Sequence, residues 1–368
     1  AGKLDFDNTM DRIKEQAEDI DRLFQLFHQQ QTELGGEVAP EDKQALKDKL
    51  KVLEDELNQY LAGEYGIDFS PLERGSRGVS SFSRGAGVGE SNPTLAKGGR
   101  GDFQKWLKSH HPFHWFIEFY GILKRGGFDV IIGNPPFLEL KEVTYLPQNF
   151  TSIESRTIHA MCIEQSLRLL NQYGCISMIY PMALVSTNRM QVVQRLLEKQ
   201  HNTWYSNYSW RPGKLFDTVN RALTIFIITP SKEGQTFSTG YQKWTSDSRD
   251  LLFKQIKYAE VFRQRPAFWV PKFGCNIEQS LLERFLKTLS SYLANNRHRV
   301  YYRTTGGLYW KVFTDFPPLF RVNAKEGHSS RETWFSLDDE RKIKPTIAIL
   351  SSNLFWWWYT IISTCRDL

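Results

Sequence analysis

The sequence predicts an α/β chain: the second half of a doubly wound Rossmann-like domain, preceded by a helical hairpin and followed by an α+β region. Three observations carry this. Two long segments near the start repeat apolar residues every three or four positions, the period of a helix with one buried face. Further on, Phe128-Asp129-Val130-Ile131-Ile132, Cys175-Ile176-Ser177-Met178-Ile179-Tyr180 and Leu223-Thr224-Ile225-Phe226-Ile227-Ile228 are short apolar runs of strand length. Helical spacing lies between them, over residues 158–170 and 189–199, so strand and helix alternate as in a parallel α/β sheet.

In the hairpin, apolar residues fall at Ile13, Ala17, Ile20, Leu23, Phe24 and Phe27, then at Leu46, Leu50, Leu53, Leu57 and Leu61. Gly35-Gly36 ends the first helix, and Pro40 opens the second at a first-turn position, where its missing N–H costs nothing. The strands are punctuated in the same way. Gly174 introduces the second, Pro181 stops it, and continuous apolar character marks the first as buried on both faces of a parallel sheet. The boundaries are residues 1–69 for the hairpin, 70–102 for a flexible Gly/Ser/Arg-rich linker, 103–230 for the α/β half-domain and 231–368 for the basic, aromatic-rich remainder.

Several chemistries find no support. Gly85, Gly87 and Gly89 resemble a nucleotide loop, but no apolar strand precedes them and no helix pattern follows. Near His110, His111 and His114 no carboxylate or cysteine completes a metal set, so no metal is expected. Cys162, Cys175, Cys275 and Cys365 form no C-x-x-C pair and suit a reducing cytosol. The opening residues lack the pattern of an export signal. Residues 346–363 are uncharged, yet Ser351, Ser352 and Asn353 interrupt them, so a buried core segment is expected and not a membrane helix.

Charge is unevenly spread. Residues 1–70 hold 17 Asp/Glu against 8 Lys/Arg, a balance of −9, which leaves 24 acids and 39 bases, or +15, for the rest. The basic portion is the part suited to phosphate.

The chemistry concentrates at Asn134-Pro135-Pro136-Phe137, directly after the first strand. Ligands of open α/β sheets bind beyond the carboxyl ends of the strands. Two consecutive prolines fix φ and remove two N–H donors, making a wall of carbonyl acceptors. An exocyclic amino group such as adenine N6 is a poor nucleophile because its lone pair is delocalised into the ring. The Asn134 amide oxygen and the Pro135 carbonyl could each accept one of its hydrogens, freeing the lone pair for attack on a methyl donor. Phe137 would stack on a base extracted from the duplex.

The run from Phe128 to Phe137 resembles the catalytic motif of amino-methyltransferases. With His111-Pro112-Phe113-His114-Trp115-Phe116-Ile117-Glu118-Phe119 upstream, Arg211-Pro212-Gly213-Lys214-Leu215-Phe216-Asp217-Thr218-Val219-Asn220-Arg221 downstream and Cys365-Arg366-Asp367-Leu368 at the end, it resembles the large DNA adenine-N6 methyltransferases of type IIG restriction-modification systems and of BREX or DISARM phage defence. That resemblance implies S-adenosylmethionine as methyl donor, a specific site in double-stranded DNA as substrate, and other defence or restriction subunits as partners. It also implies a second aromatic facing the flipped base, for which Phe216 matches by position, and a DNA target-recognition domain after the catalytic one. The family's glycine-rich S-adenosylmethionine loop is not found in this sequence, so the chain is expected to be a downstream piece without activity in isolation. A protein glutamine amide methyltransferase, whose chemistry can use the same turn, and a non-catalytic DNA-binding module stay open as alternatives.

Candidate DNA-binding residues are Arg211, Lys214 and Arg221 near the third strand, then Arg263, Arg265 and Lys272, then Arg297, Arg299 and Arg303, interleaved with Phe268, Trp269, Phe273, Tyr301, Tyr302 and Trp310. Basic side chains reach phosphates and base edges, while aromatics pack or stack.

Overall fold

Gly126 and Gly127, with φ of 107° and 112°, mark the border between two compact units, residues 1–126 and 127–368. A computed structural model describes residues 12–23, 25, 40–64, 100–143, 147, 149–262, 269–284, 289–304, 312–323, 325–327 and 329–365. Most of the linker, including Gly85, Gly87 and Gly89, lies outside the described residues, as do Phe24, Phe27, Gly35, Gly36, Arg263, Arg265, Phe268 and Trp310.

The first unit is helical. Helix α1 covers residues 12–23 and α2 spans Pro40–Glu64, with the proline at its first position as expected. Ile13, Ala17 and Ile20 of α1 pack with Leu46, Leu53 and Leu57 of α2, the residues that the three-and-four spacing selects. Helix α3 (Arg100–His110) lays Phe103 and Trp106 against Ala62, and the short helices α4 (Trp115–Glu118) and α5 (Tyr120–Lys124) add Ile117 and Tyr120 to the hairpin core. Residues 103–126 thus belong to the same compact unit as the hairpin. The histidines serve packing: His114 Nε2 lies 2.8 Å from the buried Asn58 Oδ1, and His110 stacks on Trp106 at 5.5 Å.

The second unit is built on a six-stranded sheet of order β1-β2-β4-β3-β5-β6, formed by β1 (Phe128–Gly133), β2 (Leu170–Pro181), β3 (His201–Tyr208), β4 (Leu223–Pro230), β5 (Thr236–Gln242) and β6 (Ala259–Glu260). Strands β1 and β2 run parallel, joined by helix α6 (Ile158–Leu169). Short helix α7 (Ala183–Ser186) and helix α8 (Gln191–Glu198) lead from β2 into β3. Strand β4 then returns antiparallel to both β2 and β3 and sits between them. The sequence pattern predicts no strand between α8 and Leu223, yet β3 forms there. His201-Asn202-Thr203-Trp204-Tyr205-Ser206-Asn207-Tyr208 has no continuous apolar run, and its buried Thr203 and Asn207 side chains find partners in the chain packed around them. Asn207 Nδ2 donates to Ser238 Oγ and the Thr239 carbonyl, and its Oδ1 accepts from Thr224 Oγ1 at 3.0 Å. Beyond residue 230 the chain adds β5 and β6 to this same sheet.

Alternation along the strands sends side chains to two separate cores. Ile176, Met178 and Tyr180 of β2 and Phe226 and Ile228 of β4 meet Ala160 and Ile163 of α6 and Val193 and Leu197 of α8. On the other face Ile179, Leu223, Ile225 and Tyr208 meet residues of two loops, among them Leu215, Trp244 and Leu252. Strand β1 departs from expectation. Ile131 packs on the first core, but Val130 and Ile132 on the opposite face are 62% and 81% exposed. Neither core reaches them, so that face of β1 lies uncovered, and β1 is also an edge strand, paired only with β2, so the continuous burial of a parallel-sheet interior is absent there. Gly127 is required at its start, since a Cβ would run into the Leu169 carbonyl.

After β6 come helix α9 (Ile277–Glu283) and a three-stranded antiparallel sheet of order β11-β7-β8, with β7 Arg299–Arg303, β8 Phe313–Thr314 and β11 Glu332–Ser336. A β9–β10 hairpin (Phe320–Val322 with Lys325–Gly327) lies between β8 and β11 in sequence. The uncharged stretch near the end is two helices, α10 (Ile343–Leu350) and α11 (Asn353–Ile362), separated where Ser352 Oγ accepts from Phe355 N to cap the second. No described helix is long and apolar enough to cross a membrane. Val300, Phe313, Leu337 and Leu350 form the core between this sheet and the helices.

One expected DNA contact is corrected here. Lys272 is 1% exposed, and its Nζ donates to Ser186 Oγ at 3.0 Å inside the unit. Burial lowers its ammonium to about 8. It anchors the segment after β6 and cannot meet a phosphate. The sequence shows only a lysine among aromatics, and burial there is a tertiary outcome.

Candidate active site

Strand β1 fixes the start of the site. Its register on β2 pairs Gly133 with Met178, and the chain then leaves the carboxyl edge of the sheet as Asn134-Pro135-Pro136-Phe137. Asn134 and Pro136 are exposed, Pro135 is buried and Phe137 is half-buried. Leu138 N–H donates to the Pro136 carbonyl at 2.8 Å, which closes the turn. That takes one of the carbonyls. Among the described residues no hydrogen bond engages the Asn134 amide or the Pro135 carbonyl, the two acceptors singled out from the sequence.

The exit of the turn is clamped. Ile158 N–H donates to the Leu138 carbonyl at 3.0 Å and Leu140 N–H to the Arg156 carbonyl at 2.8 Å. Arg189 grips the Glu139 carboxylate with both guanidinium nitrogens at 2.7 Å, holding Glu139 below the usual carboxylate range. The turn is therefore tied both to the start of α6 and to the residues that lead into α8.

Phe137, Phe216 and Val219 all pack against one buried cluster, formed by Tyr208, Leu215, Leu223, Trp244 and Leu252. The structure thus brings together two aromatics that stand 79 positions apart in the sequence. His159 meets Phe137 edge to face at 6.0 Å and Tyr180 likewise at 4.5 Å. It is 3% exposed. Desolvation first, with Arg189 and Arg221 nearby, lowers its imidazolium to about 4, against smaller upward pulls from the Leu138 backbone and Glu139. His159 is thus neutral in the folded protein at pH 7. The unfolded chain binds more protons between pH 6.5 and 4, so stability falls as pH drops through that window. His159→Phe removes this contribution, and its melting temperature is expected to fall less than the wild type's between pH 6.5 and 4. Parallel acid melting curves for the two proteins would contradict the assignment.

The loop carrying Phe216 is pinned by residues that sequence reasoning does not single out. Gly213 N–H donates to the Trp244 carbonyl at 2.7 Å, and a Cβ on Gly213 would lie 2.7 Å from that oxygen and 2.8 Å from the indole ring. Arg249 donates to the carbonyls of Lys214 at 3.2 Å and Leu215 at 2.8 Å while lying over Trp244. No local pattern reveals Trp244 or Arg249, because their partners are more than 30 positions away.

The predicted cations separate by task. Lys214 Nζ is spent on the Asp217 carbonyl at 2.7 Å and on Asn220 Oδ1 at 3.1 Å, so it shapes the loop. Arg221 lies 6.0 Å over the Phe137 ring and Arg211 4.0 Å over Trp210. In the C-terminal sheet Arg299 lies 3.9 Å over Trp334, while Arg297 and Arg303 are exposed. Neither group adjoins a metal site: among the described residues no three His, Cys, Asp or Glu side chains gather to hold an ion.

Similarity to one known family falls on this same region of the chain. Residues 83–210 match the family described as Eco57I restriction-modification methylase. The match contains β1, the Asn-Pro-Pro-Phe turn, β2 and β3. A curated protein of Methanocaldococcus jannaschii, described as a type II restriction enzyme and methyltransferase (RM.MjaORFECS2P), is 39% identical over 71 residues. Those residues are 19% of this chain and 6% of that protein, so the chain spans a small part of its relative. Among solved structures, a nuclease-deletion mutant of the Type ISP restriction-modification enzyme LlaGI in complex with a DNA substrate mimic aligns over 54% of this chain and 23% of its own, at 15% identity and a TM-score of 0.35. A DrdV–DNA complex aligns over 37% and 17%, at 11% identity and a TM-score of 0.32.

Proposed function

We propose that this chain supplies the base-facing wall of a DNA adenine-N6 methyltransferase in a restriction-modification or phage-defence system, acting on a specific site in double-stranded DNA with S-adenosylmethionine as methyl donor. The observation that carries the reading is the turn itself. Asn134 and Pro135 present two unengaged acceptors at the carboxyl end of a parallel strand, next to two aromatic side chains packed in one cluster.

On this reading the Asn134 Oδ1 and the Pro135 carbonyl each accept a hydrogen of the exocyclic amine, withdrawing its lone pair from the ring. Phe137 stacks on the extracted base, and Phe216 supports it from the adjoining loop. Clamping by Glu139, Arg189 and the backbone bonds to residues 156–158 holds the acceptors in place before substrate arrives, which is the origin of preorganised catalysis. The sulfonium of S-adenosylmethionine supplies the electrophilic methyl group. Among the described residues no glycine-rich turn follows an apolar strand, so it is the acceptor side of the reaction, and not the main cradle of the donor, that the described residues fit. The open edge of β1, with Val130 and Ile132 uncovered, supports reading the sheet as the second half of a Rossmann-like domain whose donor-binding half pairs along that edge. The basic C-terminal region would recognise the DNA sequence, and other restriction or defence subunits fit as partners.

The test is nucleoside mass spectrometry on plasmid DNA incubated with the full-length protein and S-adenosylmethionine. N6-methyladenine is the expected product. Methyl transfer to protein, or none to DNA, would reject the reading.

A further inference from the structure

The residues on either side of strand β8 carry apolar side chains that the fold leaves uncovered. Val312 is 72% exposed, Phe316 60% and Leu319 58%. Leaving such side chains in water forgoes the gain of burying them, so a cluster of them marks a surface that meets a partner.

The loop after β8 is held outward by its own construction. Phe313 is buried in the C-terminal core and pairs with Tyr302 of β7, which fixes the loop's first end. Thr314 Oγ1 donates to the Phe316 carbonyl at 2.7 Å, and Pro317 and Pro318 restrict the backbone between the two exposed side chains. At the other end β9 pairs with β10. Phe316 and Leu319 therefore project from a stiff segment.

The surroundings select the partner. Arg303 of β7 is exposed beside β8, Arg297 is exposed just before β7, and Arg321 and Lys325 stand on the hairpin that follows. The acids nearby are Asp315, Glu326 and Glu332; Glu326 is paired with Arg321 at 2.8 Å and Glu332 stands opposite Arg303 on β11, which leaves Arg297 and Lys325 as the exposed cations without an acidic neighbour across the ladder. An apolar tip with proline in a basic setting suits a nucleic-acid duplex, where Phe, Leu and Pro wedges enter between base steps while cations hold the flanking phosphates. We infer that Phe316 and Leu319 form a wedge that enters the DNA duplex beside the target base and fills the gap left when that base is extracted. The inference rests on the function proposed above, because a wedge has this use only where a base must leave the stack.

The experiment uses the full-length protein. Single-molecule sequencing of methylated plasmid first maps the modified site, and a duplex of about 30 bp bearing it, long enough to span a specific protein–DNA interface, becomes the probe. The Phe316→Ala/Leu319→Ala variant is expected to methylate the matched duplex about tenfold more slowly or worse, the fold-change of about 1.4 kcal/mol on the barrier. A mismatch opposite the target adenine, which lowers the cost of extraction, is expected to bring the variant within about threefold of wild type. Phe316→Leu, which keeps a smaller apolar tip, is expected to slow methylation of the matched duplex less than the double variant does. If wild type methylates and the double variant equals it on the matched duplex, the wedge is overturned while the function stands. The wedge is equally overturned if the mismatch gives no rescue, or if the variant instead loses a protein subunit with methylation intact. If wild type makes no N6-methyladenine, the functional reading itself fails and takes the wedge with it.

Discussion

Asn134→Ala is expected to lower N6-methyladenine formation by the full-length protein about 10²- to 10³-fold, the usual cost of deleting one preorganised polar group that acts on the transition state. The expected loss is catalytic, not structural. Asn134 is exposed and, among the described residues, no hydrogen bond engages its side chain, so its truncation should change stability by no more than about 0.5 kcal/mol. Asn134→Asp keeps an acceptor oxygen and should retain measurable activity. Nucleoside mass spectrometry and thermal melting on the same preparations separate the two effects. Alanine at wild-type rate would mean that the amide does not touch the reacting amine.

Gly213→Ala is expected to cost about 10²-fold in methylation from a position that touches no substrate. A Cβ there meets a backbone oxygen at 2.7 Å and an indole ring at 2.8 Å, so the Gly213–Phe216 segment must shift away from Trp244. Phe216 and Arg221 share that loop, and both lie against Phe137 or in its cluster. A displacement of about 1 Å at a catalytic aromatic is enough to produce such a loss. Overpacking should also cost about 1–3 kcal/mol of stability. The informative measurement is single-turnover methylation of the mapped duplex below the melting transition. If the variant turns over normally there, the loop's position has no bearing on the reaction.

These two residues differ in how far the sequence reveals them. Asn134 is legible because the role proposed for it depends on neighbours in the chain: a strand before it and two prolines after it, which fix direction and carbonyl geometry locally. Gly213 stands in an Arg-Pro-Gly-Lys run whose partner, Trp244, is far along the chain, and nothing in the run announces the contact. The same divide explains β3. Its apolar pattern is diluted by Thr203, Ser206 and Asn207, which are buried polar residues satisfied from β4, β5 and the chain around them. A sequence window records polarity but not the partner that makes polarity tolerable in a core.

By itself the sequence determined the two helices of the hairpin, strands β1, β2 and β4 with helices α6 and α8, and the place of the Asn134–Phe137 turn at the end of β1, because each depends on side-chain period or backbone restriction within a few residues. Only the tertiary structure decided that β4 returns between β2 and β3, that β1 keeps an open edge, that Lys272 is buried while Arg221 lies over Phe137, and that Phe316 and Leu319 stand uncovered. Those outcomes depend on which distant surfaces exclude water from one another, and that is settled by the packing of the whole unit, not by any local stretch of chain.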